Sequence, residues 1–455
     1  MLSELAGAVR NGKVSPRELV EESLRRIDKA NPELNAVIAR RDDAALEEAD
    51  TLSDERRTGP LAGVPLLVKD LSHVAGMCTT FGSPLFEHAA PATGDSTIVA
   101  RLRAAGAIVV GKTNTPAFGW TGYTDNQLFG ATRNPWNTDC SPGGSSGGSA
   151  AALAAALAPL ATTTDGGGSV RIPAALCGLV GYKPSLGVIA RDRAPNWMTF
   201  STSGATSSTV ADVVLEAAVL AGSNGTDINE LPDGSVSFEP EKPKRVLSCR
   251  SLRADVDPSV DAAFSTTLAV IENDLGLPVE HVDHVFDDSI PLSWFVIGSA
   301  ELAQAFAASE DRWDDFEPGL AGVLRFGRGI SLVDYLAAQR QRYEAAATLE
   351  ALLQDDAVLV TPTLNVTSWP PAGPLPDRAG SVAGDPSIAV NTVELNFTGH
   401  PGVSVPIGVS PEGVPIGLQV AAPRFRDRLA LGLAAGLEGA QPWRATAPGY
   451  EPFSI

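Results

Sequence analysis

Histidine and cysteine are scarce in this chain, and their scarcity removes whole classes of chemistry. Only five histidines (His73, His88, His281, His284, His400) and four cysteines (Cys78, Cys140, Cys177, Cys249) occur in 455 residues. No H-E-x-x-H is present, and His281 and His284 stand alone among carboxylates, so no metal site is expected. The cysteines form no C-x-x-C pair, which predicts reduced thiols in a cytoplasmic protein. No uninterrupted apolar run reaches the roughly 18 residues of a membrane span. Ala150–Ala161 comes nearest and is too short. The opening residues Met1–Leu5 lack a basic and then apolar leader, so no secretory signal is expected. A net charge of −20 disfavours a nucleic-acid surface. G-x-x-x-x-G-K-[ST] is missing too, which argues against a phosphate-binding loop. The expectation is a soluble cytoplasmic enzyme with no cofactor, no nucleic-acid partner and no membrane partner.

What is present is the composition of a globular protein with a sizeable core: 44% hydrophobic and 19% charged residues, with 44 glycines and 34 prolines marking many turns. Ser15-Pro16-Arg17-Glu18 supplies an N-cap, proline at the first helical position and an early acid, predicting a helix to about Asp28. Apolar periodicity near 3.6 predicts further helices at 43–53, 96–105, 149–157, 212–220, 258–274, 301–309, 332–353 and 427–437. Short apolar runs predict strands at 66–68, 107–112, 160–164, 358–361, 402–406 and 414–420. Helices alternating with short buried strands are the grammar of an α/β fold. Residues 223–244, rich in Gly, Pro, Asp and Glu, read as a surface excursion within one domain spanning 1–455.

Two glycine-serine clusters carry the chemistry. Gly143-Gly144-Ser145-Ser146-Gly147-Gly148-Ser149 and Thr164-Asp165-Gly166-Gly167-Gly168-Ser169-Val170-Arg171 flank an alanine-rich run, with Ser145 and Ser169 24 positions apart. Glycine this dense fits a backbone that must crowd a ligand, and the serines within it suit a nucleophile beside backbone oxyanion donors. Gly143-Gly144-Ser145-Ser146-Gly147 also satisfies G-x-S-x-G, the elbow of an α/β-hydrolase esterase. That elbow needs a strand before it, whereas Asn134–Pro142 reads as a turn-rich loop. None of the histidines lies in a distinctive setting for the base.

A lysine is the competing base. Lys69 ends the apolar run Leu66-Leu67-Val68. A free lysine, with a pKa of about 10.4, is neutral in roughly 1 molecule in 2,500 at pH 7. Burial beside hydroxyls, without a carboxylate partner, would lower that pKa and free the amine to accept a proton. Asp70 is the next residue, but neighbours in an extended chain point to opposite sides.

Taken together, Gly63-Val64-Pro65 with Val68-Lys69-Asp70, Ser141 to Ala150, Asp165 to Ala175, Thr398-Gly399-His400-Pro401 and Gly417-Leu418-Gln419 resemble the amidase signature family over nearly the whole chain. The resemblance implies one α/β domain with a large twisted mixed sheet covered by helices on both faces. It implies Ser169 as nucleophile, Ser145 on a cis peptide as bridging serine, and Lys69 as terminal base. It further implies an oxyanion hole from the backbone N–H groups of Gly166, Gly167, Gly168 and Ser169, with Ser146, Asp165 and Arg171 bracing the loops. Gly166 departs from many relatives, which carry a larger residue there, and predicts a more mobile oxyanion loop. Gly119, Trp120 and Tyr123 are the expected pocket residues, and 197–200 with 303–313 its expected mouth. The implied activity is hydrolysis of small-molecule amides or carbamates by a monomer or homodimer. The segment Gly119–Tyr123 looks more like stand-alone amidases of aryl amides, cyclic amides or carbamates than the glutamine-hydrolysing component of a tRNA amidotransferase, the alternative within the family.

Overall fold

A computed structural model describes residues 1–192, 197–252, 255–354, 356–376 and 390–454. Twelve strands are found among them: β1 (Val37–Arg40), β2 (Pro65–Lys69), β3 (Ile108–Thr113), β4 (Leu160–Ala161), β5 (Thr163–Asp165), β6 (Val180–Lys183), β7 (Thr202–Ser207), β8 (Arg245–Ser248), β9 (Val279–His281), β10 (Ala357–Pro362), β11 (Gly402–Val409) and β12 (Pro415–Ala421). They form a mixed α/β architecture, as the motifs imply. The large sheet has eight strands in the order β5-β7-β6-β11-β12-β10-β8-β9, antiparallel from β5 to β10 and parallel from β10 to β9. A smaller sheet, β1-β3-β2-β4, pairs β2 in parallel with both β3 and β4. Only Thr162 separates β4 from β5, so one length of chain passes from the small sheet into the large one.

Strands β2 and β3 are buried at every position, which explains their continuous apolar runs. The helix Gly147–Ala154 covers them and is itself wholly buried. Its glycines and alanines answer a steric demand: a Cβ on Gly148 would lie 2.5 Å from the backbone nitrogen of Asn114. The helices Val210–Leu220, Pro258–Asn273 and Asp427–Ala440 pack on the large sheet in a core containing Val213, Phe264 and Leu433.

The Ser15 capping box forms, with Ser15 Oγ accepting from the Glu18 N–H at 3.2 Å and the Ser15 N–H donating to Glu18 Oε2 at 2.8 Å. That helix runs on to Leu34 and takes in Pro32, beyond its expected end. The expected helix 43–53 runs from Asp42 to Asp50 and stops short, and a separate short helix, Asp54–Thr58, begins after the Ser53 cap. The expected helix 301–309 is the last part of Ile290–Ala305 followed by a 3-10 turn from Ala307 to Asp315. The excursion 223–244 carries no helix or strand and is largely exposed. No single helix among the described residues is long and apolar enough to cross a membrane.

Candidate active site

Lys69 lies at the C-terminal end of β2, where the parallel ladder delivers it into the interior. Its side chain is wholly buried. The ammonium position is defined by three hydroxyls: Nζ lies 2.8 Å from Ser145 Oγ, 2.8 Å from Ser146 Oγ and 3.0 Å from Thr164 Oγ1. Burial pulls its pKa from an ordinary 10.5 down to about 7, against a smaller upward pull from Asp165. Asp70 points the other way. Its Oδ1 pairs with Lys112 Nζ at 2.5 Å, and its Oδ2 accepts from the Thr80 N–H at 3.0 Å. The alternation of side chains along a strand therefore separates Lys69 from the carboxylate beside it in sequence.

The first glycine cluster wraps this lysine. The peptide Gly144–Ser145 is cis, and Gly143 has φ +82°. Gly144 leaves no room for a side chain, since a Cβ would lie 2.7 Å from the backbone nitrogen of Tyr123. Thr115 Oγ1 donates to the Ser145 carbonyl at 3.0 Å. Ser146, expected only to brace the loops, touches Lys69 directly. Its hydroxyl donates to the Thr164 carbonyl at 3.2 Å. That commits the Ser146 proton elsewhere and leaves its oxygen to accept from Lys69.

The second cluster is organised by Asp165. Its Oδ1 accepts from the Gly168 N–H at 2.6 Å and its Oδ2 from the Val170 N–H at 3.1 Å, while Arg171 forks onto both oxygens at 3.0 Å. Arg171 also donates to Gln419 Oε1, the Thr392 carbonyl and Asn396 Oδ1. The buried carboxyl is held down at about 2, because Arg171 and further donors outweigh the cost of burial. Asp165 and Arg171 thus tie the second cluster to Thr392, Asn396 and Gln419.

Gly168 does not take its expected oxyanion position. Its N–H is given to Asp165, and it does not face the cavity. Its φ of +128° and a Cβ position 2.1 Å from Thr392 Oγ1 still require glycine there. Gly166, Gly167 and Ser169 do border a cavity of about 390 Å³, together with Ser145, Gly119 and Trp120. The loop at Gly166, expected to be mobile, is packed against two indoles. Trp294 Nε1 donates to the Gly166 carbonyl at 3.0 Å, and a Cβ on Gly166 would meet Trp197 Cε3 at 2.9 Å. An indole fills the space that a larger residue at 166 would take.

Tyr123 does not border the cavity. Its backbone lies against Gly144 and its ring against Gly373, where a Cβ would come within 2.6 Å of Tyr123 Cε1. Of the expected mouth, Trp197 borders the cavity, whereas residues 303–313 stand behind it, with Phe306 packed edge-on to Phe118 at 4.7 Å. Two residues that sequence reasoning missed complete the arrangement: Thr164 on Lys69, and Trp294 as a wall beside Trp197. Thr164 opens the second cluster and was legible by place. Trp294 approaches from 128 residues away and carried no signal. His73 borders the cavity, and it and two other histidines have polar partners of their own. His400 Nε2 lies 2.9 Å from Glu350 Oε2, His281 Nδ1 lies 2.6 Å from Ser248 Oγ, and His73 Nδ1 lies 2.9 Å from Thr79 Oγ1. No strand enters Ser145, so the esterase elbow is absent.

Comparison with known proteins decides the family. The amidase family model matches residues 18–431. The chain belongs to the amidase family. This amidase is 34% identical to an acylamidase of Rhodococcus erythropolis, over 98% of this chain and 96% of the relative. It is 32% identical to a 6-aminohexanoate-cyclic-dimer hydrolase of Paenarthrobacter ureafaciens, over 97% of this chain and 95% of the relative. Glutamyl-tRNA(Gln) amidotransferase components are among its relatives too, one from Synechococcus sp. (strain CC9605) being 33% identical over 90% of each chain. Its fold matches a crystal structure of a bacterial aryl acylamidase of the amidase signature family with a TM-score of 0.86 and 28% identity, covering 97% of this chain and 96% of that one. The protein is a hydrolase of amide C–N bonds.

Proposed function

We propose that this amidase acts alone on small-molecule amides bearing an aryl or extended apolar group, including acyl anilides and aryl carbamates, through a Ser169–Ser145–Lys69 proton relay. One observation carries the relay: a fully buried lysine amine whose side-chain hydrogen-bond partners are three hydroxyls, two of them on residues, Ser145 and Thr164, that border the cavity with Ser169. A neutral amine has two N–H donors and one lone pair, which matches the three partners. Ser146 and Thr164 accept, and Ser145 donates. With the lysine pulled to about 7, a large fraction is neutral near neutral pH.

Ser169 Oγ attacks the amide carbonyl while its proton passes to Ser145 Oγ, and the Ser145 proton passes to Lys69 Nζ. The oxygen of the tetrahedral intermediate takes its charge against the N–H groups of Gly166, Gly167 and Ser169. The relay then runs in reverse, so that a proton reaches the leaving nitrogen as the C–N bond breaks, leaving an acyl-Ser169 ester. Water attacks that ester through the same relay and releases the acid. For a carbamate the acid released decomposes to carbon dioxide and an alcohol.

The indoles of Trp120, Trp197 and Trp294 give the cavity an apolar wall suited to an aryl group. Glutamine offers nothing to fill it. Hydrolysis of a panel of acyl anilides, aliphatic amides, aryl carbamates and glutamine tests the reading. Anilide or aryl carbamate turnover far above that of glutamine is expected. Glutamine as the preferred substrate, or stable copurification with an amidotransferase partner, would instead establish the tRNA-amidotransferase role.

A further inference from the structure

The wall segment Trp197–Ser201 is held from two sides by buried charges that take no part in the relay. On one side Arg191 donates to the Met198 carbonyl and, at 3.3 Å, to the Ser201 carbonyl. Arg191 is itself fixed by Asp227, which belongs to the surface excursion: Nε to Oδ2 is 2.7 Å, Nη2 to Oδ1 is 2.9 Å, and the Arg191 N–H reaches Oδ2 at 3.1 Å. On the other side the buried carboxylate of Glu301 accepts from the Thr199 N–H at 3.1 Å and from the Thr199 hydroxyl. Tyr335 adds its hydroxyl to the same carboxylate at 3.2 Å, and Gln339 supports Tyr335 at 3.0 Å.

What the two clamps hold is Trp197. Its ring stands edge-to-face with Trp120 at 5.3 Å and with Trp294 at 5.2 Å. It also occupies the place of a side chain at Gly166, one of the three residues whose N–H groups the proposed mechanism sets against the substrate oxygen. Trp197 borders the same cavity as Gly166 and Ser169, so its ring stands beside the place where the proposed nucleophile meets the scissile carbonyl. We infer that Trp197 is the specificity-determining residue of the cavity, excluding substrates branched beside the carbonyl, and that Arg191, Asp227 and Glu301 are the positioning residues that hold it against Gly166. This rests on the reading of Ser169 as nucleophile. It also gives the 223–244 excursion a purpose, since Asp227 anchors the clamp from outside.

The test compares unbranched with branched acyl groups, using acetanilide against pivalanilide, and a methyl against an isopropyl fluorophosphonate scored by mass at Ser169. In Trp197→Ala the branched-to-unbranched ratio of kcat/KM, and of labelling rate, is expected to rise about tenfold or more, the scale of one or two methylenes in a pocket. Glu301→Ala and Asp227→Ala should move the ratio in the same direction through KM for the branched substrate, whereas Glu301→Gln, which keeps an acceptor for Thr199, should restore it. General loosening of the fold would lower both substrates together and leave the ratio where it was. A separate arm does not depend on the clamps: Gly166→Ala should cut kcat/KM for acetanilide, and adding Trp197→Ala should recover part of the loss. An unchanged ratio in Trp197→Ala, or a Gly166→Ala defect that Trp197→Ala does not relieve, would overturn the inference. Should the wild type label at Ser169 yet hydrolyse neither anilide, the substrate class fails while the labelling ratio still tests the wall. Absence of labelling at Ser169 would remove the nucleophile on which the inference stands.

Discussion

Lys69 and Lys112 are the same residue type, on neighbouring parallel strands, both with side chains sealed from solvent. In register Val68 faces Lys112, so the two amines start one place apart. Lys112 Nζ ends on the Asp70 carboxylate at 2.5 Å, with Thr79 Oγ1 at 2.8 Å and the Cys78 carbonyl at 3.0 Å. Lys69 meets hydroxyls instead. Burial lowers the pKa of both, but at Lys112 the Asp70 carboxylate pulls strongly back toward the charged form. The contrast teaches that burial supplies a base only where the carboxylate is withheld. One lysine is held in an ion pair and the other meets hydroxyls, the setting the proposed relay requires, and the side-chain alternation at Lys69-Asp70 produces both.

The largest effect that would break the comparison is on turnover. Lys69→Ala, Ser145→Ala and Ser169→Ala should each lower kcat/KM by about three orders of magnitude or more. The Lys69→Ala/Ser145→Ala double variant should lose little beyond either single one, because members of a relay act as a unit. Lys112→Met, assayed where it is folded, should keep most of its turnover. Near-normal amide hydrolysis by Lys69→Ala at neutral pH would end the lysine-base mechanism.

Stability should reverse that order. Lys112→Met strands Asp70 as a buried, unpaired carboxylate and is expected to cost about 3–5 kcal/mol in urea unfolding. Asp70→Asn added to it should recover part of the loss. Lys69→Met removes a buried amine that burial already pushes toward its neutral form and that has no counter-ion in contact, so it should cost much less than Lys112→Met. Equal destabilisation by the two methionines would dissolve the distinction.

The pH response sharpens the comparison further. The folded pKa of Lys69, about 7, lies below its ordinary 10.5. Between those values the unfolded chain binds the additional proton, so the Lys69 contribution makes stability rise with pH across that window. Below about 7 both states are protonated and the burial penalty is present in full. Lys183, drawn down to about 7 by burial and then by Arg171, contributes in the same window. The wild type should therefore show a steeper rise than Lys69→Met, by about one proton. In kinetics, kcat/KM should fall about tenfold per pH unit below about 7 as Lys69 becomes charged. A profile flat from pH 5 to 8 would contradict this.

The smallest expected effect is at the wall. Trp120→Ala should reduce kcat/KM for an acyl anilide about tenfold, with acetamide nearly unaffected, since only the aryl group reaches the ring. Equal losses on both substrates would assign Trp120 to packing alone.

Much of this was legible along the chain. The Ser15 cap, the buried strands β2 and β3, and the helix over Leu332–Leu353 follow from local pattern. The first helix, Leu2–Arg10, was legible in principle, because its buried Leu2, Leu5, Ala6 and Val9 keep helical spacing, yet a stretch weighed only as a leader hides that pattern. The short helix Arg171–Cys177 was illegible because it is buried on every side and shows no polar face. The pocket was read only in part. Trp120 stood in a recognisable motif, but Tyr123, three residues on, turns to Gly373, and nothing local distinguishes the two rings.

Residue type, spacing and glycine content were sufficient for the family, for Lys69 as the base under test and for the two serines, since close backbone approach and a hydroxyl relay need those residues at those places. Which N–H groups remain free was settled in three dimensions, where the Asp165 carboxylate, braced by Arg171, Asn396 and through Arg171 by Gln419, takes the one on Gly168. The shape of the cavity was settled there as well, because Trp197 and Trp294 reach Gly166 and Gly167 across gaps in sequence that no local pattern spans. Hydrogen bonds and burial are pairings between distant residues, and only the folded chain brings the partners together.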